Sequence, residues 1–161
     1  MPTFVSDGIN LAYETYGEGA PVLLIHGFGS SGRVNWVETG WTETLTAAGY
    51  QAITIDNRGH GESEKLYDPE RYYPWLMADD AARLLAHLGI RSAPVIGYSM
   101  GARIAAFLAS RHAGAVACAV FGGMGPSLMS GLDDSEEIIA GLLAPTLADV
   151  PTRVARQFRI F

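Results

Sequence analysis

A chain of 161 residues and 17.2 kDa has the size of one domain, large enough to bury about two thirds of the surface its unfolded form exposes. Hydrophobic residues make up 48%, charged residues 17%, and the mean hydropathy is +0.14, a balance that excludes disorder and predicts a packed core. Eleven basic against seventeen acidic residues leave a net charge of −6 at pH 7, and the single lysine, Lys65, has no basic cluster around it, so a nucleic-acid surface is excluded.

The one cysteine, Cys118, excludes an internal disulfide, and four scattered histidines lack zinc-ligand spacing. No metal or cofactor is expected. Met1-Pro2-Thr3-Phe4 carries no basic-then-apolar leader, and no window reaches the roughly 18 apolar residues of a membrane span. The expectation is a soluble cytoplasmic protein without membrane or nucleic-acid partners.

In chain order, Thr3-Phe4-Val5 and Asn10 to Tyr16 are β-prone runs on either side of Asp7-Gly8, a turn dipeptide that closes a hairpin. Gly17 to Pro21 ends that piece. Val22-Leu23-Leu24-Ile25 is a continuous apolar strand, followed by a glycine-rich loop and a helix within Trp36 to Ala48; Gln51 to Ile55 is the next strand. Pro74 starts a helix with Met77, Ala81, Leu84, Leu85 and Leu88 on one face, ending at Gly89. Pro94-Val95-Ile96 is a strand, Met100 to His112 a helix, and Ala115 to Phe121 an uncharged strand in which Cys118 is expected to be a small buried residue. Alternating strands and helices, with strands apolar on both faces, predict an α/β fold with a mostly parallel sheet covered on both sides.

Beyond Phe121 the chain reads as loop, then as a helix capped by Asp133 to Glu137 and running from Ile138 to Leu143, then as a helix within Thr152 to Phe158. It stops at Arg159-Ile160-Phe161 without a helix stop or polar tail, as a chain that is cut rather than finished.

Gly97-Tyr98-Ser99-Met100-Gly101 joins a strand to a helix in the pattern Gly-x-Ser-x-Gly. Such a turn is sharp and strained, lifts the serine hydroxyl above the sheet, and aims the Met100 N–H at the place where a tetrahedral oxyanion forms. Read blandly, the glycines mark a tight connection and Ser99 is a helix cap. A second loop, His26-Gly27-Phe28-Gly29, follows the neighbouring strand and offers the Phe28 N–H as another oxyanion donor. Gly27-Phe28-Gly29-Ser30-Ser31-Gly32 also fits the dinucleotide fingerprint formally, with Asp56 as a ribose ligand. That alternative needs a helix to open at the third glycine, whereas Arg33-Val34-Asn35-Trp36 has no apolar helical period, and it leaves the Ser99 turn unexplained.

With Asp56-Asn57-Arg58-Gly59-His60-Gly61-Glu62-Ser63 between the two loops, the chain resembles the α/β-hydrolase family over residues 3 to about 125. The resemblance implies Ser99 as nucleophile, Phe28 and Met100 as the oxyanion hole, and Asp56 and Arg58 in a bracing loop. His26, Gly27, Gly29, Gly97, Tyr98 and Gly101 would support these motifs. It divides the chain into the N-terminal part of a hydrolase core, 1–125, and the start of a helical lid, 126–161. A serine at the elbow favours carboxylic esters or lactones over epoxides and haloalkanes, for which the family uses aspartate.

The resemblance also implies an acid and a histidine after Ser99. The only later histidine, His112, lies thirteen residues on, about 20 Å along a helix, and reads as a helix C-terminal residue. His26 and His60 read as loop braces. Ala115 to Phe121 would be an edge strand without an edge-protecting charge. Two further strands carrying the acid and histidine are therefore expected beside it, outside these 161 residues; a C-terminal complementing chain or self-association through the open edge are the protein partners this suggests, the latter covering the edge without supplying the base. The expected partner is a small ester or lactone. The expectation is a serine hydrolase inactive alone, with a non-catalytic binding protein on a truncated hydrolase fold as the alternative and an NAD-type binder behind it.

Overall fold

The computed structural model describes residues 1–125, 128, 135–150, 152 and 156. The chain divides into two compact units, Met1–Met129 and Ser130–Phe161. In the first, β1 (Thr3–Ser6) and β2 (Ile9–Tyr16) form an antiparallel hairpin. The turn between them places Asp7 and Gly8 at φ 51° and 75°, the paired left-handed conformation that suits the twist of a two-residue hairpin.

The strands β3 (Ala20–Ile25), β4 (Tyr50–Ile55), β5 (Ala93–Tyr98) and β6 (Val116–Gly122) are mutually parallel, and β2 joins them antiparallel along β4. The sheet order is β1-β2-β4-β3-β5-β6. Strand periodicity divides the core between two faces. Leu23, Ile25, Ile53 and Ile55 pack with α2 (Pro74–His87) and α3 (Met100–Arg111), while Val22, Leu24 and Ala52 pack with Trp36 and Leu45. The α/β class, with helices on both faces of a mostly parallel sheet, is thus the observed architecture.

The helix expected within Trp36 to Ala48 is α1 (Trp41–Ala47), and a π-helical turn, Arg33–Val37, precedes it. Gly40 at φ 81° separates them, because a left-handed residue cannot continue a right-handed helix. The expectation of a buried Cys118 needs correction: the residue is exposed because β6 lies at one end of the sheet order, where one side has no strand among the described residues. On the same strand, Val120 and Phe121 are also exposed.

The second unit contains α4 (Ser135–Leu143) and a short 3-10 turn, Leu147–Asp149, opened by a reciprocal cap between Thr146 and Asp149. Ala144 and Val150 form its small buried cluster. Asp133 and Asp134, and nearly all of the helix expected within Thr152 to Phe158, lie outside the described residues. No described helix is long and apolar enough to cross a membrane.

Candidate active site

β5 ends at Tyr98 and α3 begins at Met100, leaving Ser99 alone to reverse the chain at φ 52°, ψ −116°. This backbone region is strained for any residue with a side chain. It is reached because the flanking glycines carry no Cβ. One built on Gly97 would lie 2.2 Å from the Gly101 carbonyl oxygen, and one on Gly101 would lie 2.0 Å from that of Ile25. The Ser99 N–H is anchored to the Gly122 carbonyl at 2.8 Å, fixing the elbow to the end of β6. The Ser99 side chain makes no capping hydrogen bond, unlike the helix-cap role that the bland interpretation requires. Met100 is the first residue of α3, so its N–H has no partner within the helix.

The loop after β3 comes to the elbow directly. A Cβ on Gly27 would lie 3.4 Å from both the Ser99 Cβ and the Tyr98 carbonyl oxygen. The Gly27 N–H is held by the Asn35 side chain at 3.0 Å, a brace supplied by the π-helical turn. Phe28 and Tyr98 are each about half exposed, at 50% and 49%, rather than core residues. A cavity of about 460 Å³ is lined by Phe28, Gly29, Gly59, His60, Tyr72, Met77 and Met100. Both residues expected to donate to an oxyanion therefore border it, together with the Asp56–Ser63 loop; Ser99 is not among its lining residues.

That loop is tied down by buried polar side chains. Asp56 accepts the Gly32 N–H at 2.7 Å on one oxygen and the Glu62 N–H at 2.8 Å on the other. Ser63 donates to the Asp56 carbonyl and accepts from the Ala12 N–H. Arg58 is fully buried and binds Asp80 of α2 through two 2.7 Å bonds, while its remaining nitrogen donates to the Arg71 carbonyl. Asp80 also accepts from Ser6, so β1, α2 and the loop share one network. Asn35, Asp80 and Ser6 were not anticipated as site residues; each lies outside the glycine motifs and carries no local signal.

The histidines have distinct environments. His26 is completely buried, its Nδ1 donating to the Gly27 carbonyl at 2.7 Å and its Nε2 accepting from the Asn57 N–H at 3.0 Å. The fixed directions of those backbone groups set the tautomer, and burial lowers its pKa to about 4 despite the opposing bond to Gly27. His60 is half-buried, its ring edge-on to Phe28 and 5.1 Å from that of His26. Its pKa is lowered, first by burial, then by Lys65 and outweighing the bond to the Arg58 carbonyl. His112 follows the last residue of α3 and bonds Asp79 of α2 at 2.6 Å. Burial would raise the Asp79 pKa, but bonds from His112 and Arg111 outweigh it and leave it lowered. His112 thus belongs to a clamp between α2 and α3.

The geometry disfavours the dinucleotide alternative. A helical turn does follow Gly32, contrary to expectation, but it lasts five residues, and both Asp56 oxygens are occupied by backbone N–H groups, leaving that carboxylate committed to the loop.

A parallel sheet with a strained serine elbow after β5 defines a hydrolase-type α/β protein, and the sequence matches the alpha/beta hydrolase fold family over residues 20–147. The chain belongs to that family. It is 34% identical over 139 residues to a non-heme haloperoxidase of Rhodococcus erythropolis, covering 82% of this chain and 47% of the relative. A thermophilic esterase of Thermogutta terrifontis shares 33% identity at a TM-score of 0.64, covering 74% of this chain and 42% of the other. A mutant epoxide hydrolase of Vigna radiata superposes over 99% of this chain and 66% of its own at a TM-score of 0.73; with 19% identity, it shows the fold alone. The chain spans between 35% and 56% of the length of its curated relatives.

Proposed function

We propose that this chain contributes the nucleophile and oxyanion-binding half of a serine hydrolase acting on carboxylic esters or lactones. The observation that carries the reading is the Ser99 elbow, strained and uncapped, with the Gly27 loop against it. Ser99 Oγ attacks the carbonyl carbon, and the carbonyl oxygen becomes an oxyanion held by the Phe28 and Met100 N–H groups. Expulsion of the alkoxide, with a proton, leaves an acyl-serine that water hydrolyses.

We place the base that takes the serine proton outside the four histidines. His26 holds both ring nitrogens in backbone bonds, His87 stacks on Phe4, His112 binds Asp79 at the far end of α3, and His60, its Nδ1 held by the Arg58 carbonyl, lines a cavity whose lining does not include Ser99. We assign the base and its acid to polypeptide beyond this chain, in keeping with the share of its relatives that the chain spans. A cytoplasmic location remains part of this proposal.

The test is hydrolysis of short p-nitrophenyl esters and of lactones by the whole gene product. The reading expects turnover that Ser99→Ala abolishes, and much weaker or no turnover from residues 1–161 alone; only about 10³–10⁴-fold over water survives loss of a triad member. Failure of the whole product to hydrolyse any ester or lactone overturns it. Unaltered ligand binding in Ser99→Ala without turnover in any form would favour the non-catalytic alternative.

A further inference from the structure

The cavity wall contains one polar side chain with an unused hydrogen-bonding atom. Of the seven lining residues, Phe28, Met77 and Met100 are apolar, and Gly29 and Gly59 have no side chain. The Tyr72 hydroxyl is committed in both directions, donating to the Leu66 carbonyl at 2.7 Å and accepting the Leu66 N–H at 2.9 Å. His60 remains. Its Nδ1 lies 3.0 Å from the Arg58 carbonyl. A carbonyl only accepts, so Nδ1 carries the proton and Nε2 of the neutral ring presents a lone pair. Nε2 has no partner among the described residues.

The ring cannot readily turn away. Its plane is edge-on to Phe28 and packed near His26, and its backbone is fastened at both ends: the His60 N–H donates to the Asn57 carbonyl, and the His60 carbonyl accepts from the Ser63 N–H. Arg58, whose carbonyl fixes Nδ1, is itself immobilised by Asp80.

We propose that His60 is a specificity-determining residue whose Nε2 accepts a hydrogen bond from a hydroxyl on an otherwise apolar substrate, making hydroxyacyl esters or lactones of hydroxylated acids the preferred class. The inference rests on the ester-hydrolase reading for the identity of the substrate, but on the cavity wall alone for the preference. An apolar cavity with one fixed acceptor rewards a ligand that brings one donor, and leaves the acceptor unmatched when the ligand is wholly apolar.

The test compares two ligands of equal length, methyl 6-hydroxyhexanoate and methyl heptanoate, bound to Ser99→Ala so that no turnover intervenes. A neutral hydrogen bond corresponds to a preference of about 3- to 10-fold for the hydroxylated ester. His60→Phe should bring that ratio close to one, and His60→Gln, which retains an acceptor, should keep part of it. In the unsubstituted ring, the Nε2 nitrogen resonance should move on adding the hydroxylated ester and stay in place with methyl heptanoate, a readout that holds even if His60→Phe fails to fold. Equal affinities for the two esters, or a resonance indifferent to the hydroxyl, overturn the proposal. Because binding is measured without turnover, a hydroxyl preference in a protein that hydrolyses nothing would sink the hydrolase reading and spare this one. Ester hydrolysis without the preference would do the reverse.

Discussion

Met100 of the Ser99 elbow and Gly59 and His60 of the Asp56–Ser63 loop border one cavity, and the two regions are built in opposite ways. The elbow exists because atoms are missing: Gly97 and Gly101 let two backbones approach to distances that a single methyl group would forbid. The loop exists because polar atoms have been added: Asp56, Arg58 and Ser63 are all buried, and their hydrogen bonds reach backbone or side chains elsewhere. A region made by omission is intolerant of anything larger. One made by polar pairing is intolerant of losing either partner, and the two should fail by different amounts under different substitutions.

The largest effect is expected in the loop. Asp80→Asn leaves the Arg58 guanidinium buried without its counter-charge, and breaking a buried pair in this way costs about 3–5 kcal/mol. Urea unfolding measures the loss. Replacing both members, Arg58→Met with Asp80→Leu, should return most of it, because the uncompensated charge is gone. A double variant as unstable as the single one would mean that the network's geometry, not the stranded charge, dominates.

The buried histidine beside both regions gives the next effect, of about 3 kcal/mol. The His26 pKa falls from 6.5 to about 4 on folding. Between those two values the unfolded chain takes up a proton that the folded chain refuses, so stability present above pH 6.5 is lost as the pH falls towards 4. The unfolding free energy should drop by up to about 1.4 kcal/mol per pH unit through His26 alone, and His60, also lowered, adds with the same sign. In His26→Asn the slope of stability against pH should fall by about one proton. An unchanged slope would place the proton uptake elsewhere.

The elbow glycines follow. Gly97→Ala or Gly101→Ala drives a methyl into backbone oxygen, which cannot rotate aside, and overpacking of this kind costs about 1–3 kcal/mol. Thermal or denaturant midpoints report it, and variants indistinguishable from the parent would show that the two backbones can separate freely.

The same contrast explains what the sequence reveals. Glycine motifs are local, so the elbow, the loop after β3 and the hairpin turn at Asp7-Gly8 can be read from neighbouring residues, as can strands that are apolar on both faces. Partners in a folded network are not local. Arg58 meets Asp80 22 positions away, Asp80 meets Ser6 74 positions away, and Gly27 is held by Asn35 across the loop. Asp80 sits on a helix whose neighbours Asp79 and Arg83 look like ordinary surface charges, and only the crossing of β1, α2 and the loop reveals it as buried. Cys118 was misjudged for a related reason: its strand is apolar on both faces, but burial depends on what lies alongside, which composition does not encode.

The smallest effect tests whether the elbow is strained at all. Ser99 holds φ 52° and ψ −116° with a side chain in place, a conformation that costs of order 1–3 kcal/mol. Glycine adopts it freely but loses about 0.5–1 kcal/mol more backbone entropy on folding. Ser99→Gly should therefore stabilise the fold by about 1 kcal/mol, while Ser99→Ala, which keeps the Cβ and removes a hydroxyl that caps nothing, should leave stability nearly unchanged. Paired denaturant curves separate the two. Stabilisation by glycine alone would show that the fold holds a serine where glycine is the more stable residue, a cost that makes sense only if the hydroxyl has a use. Equal effects of glycine and alanine would mean that the turn is relaxed and that Ser99 is tolerated rather than retained.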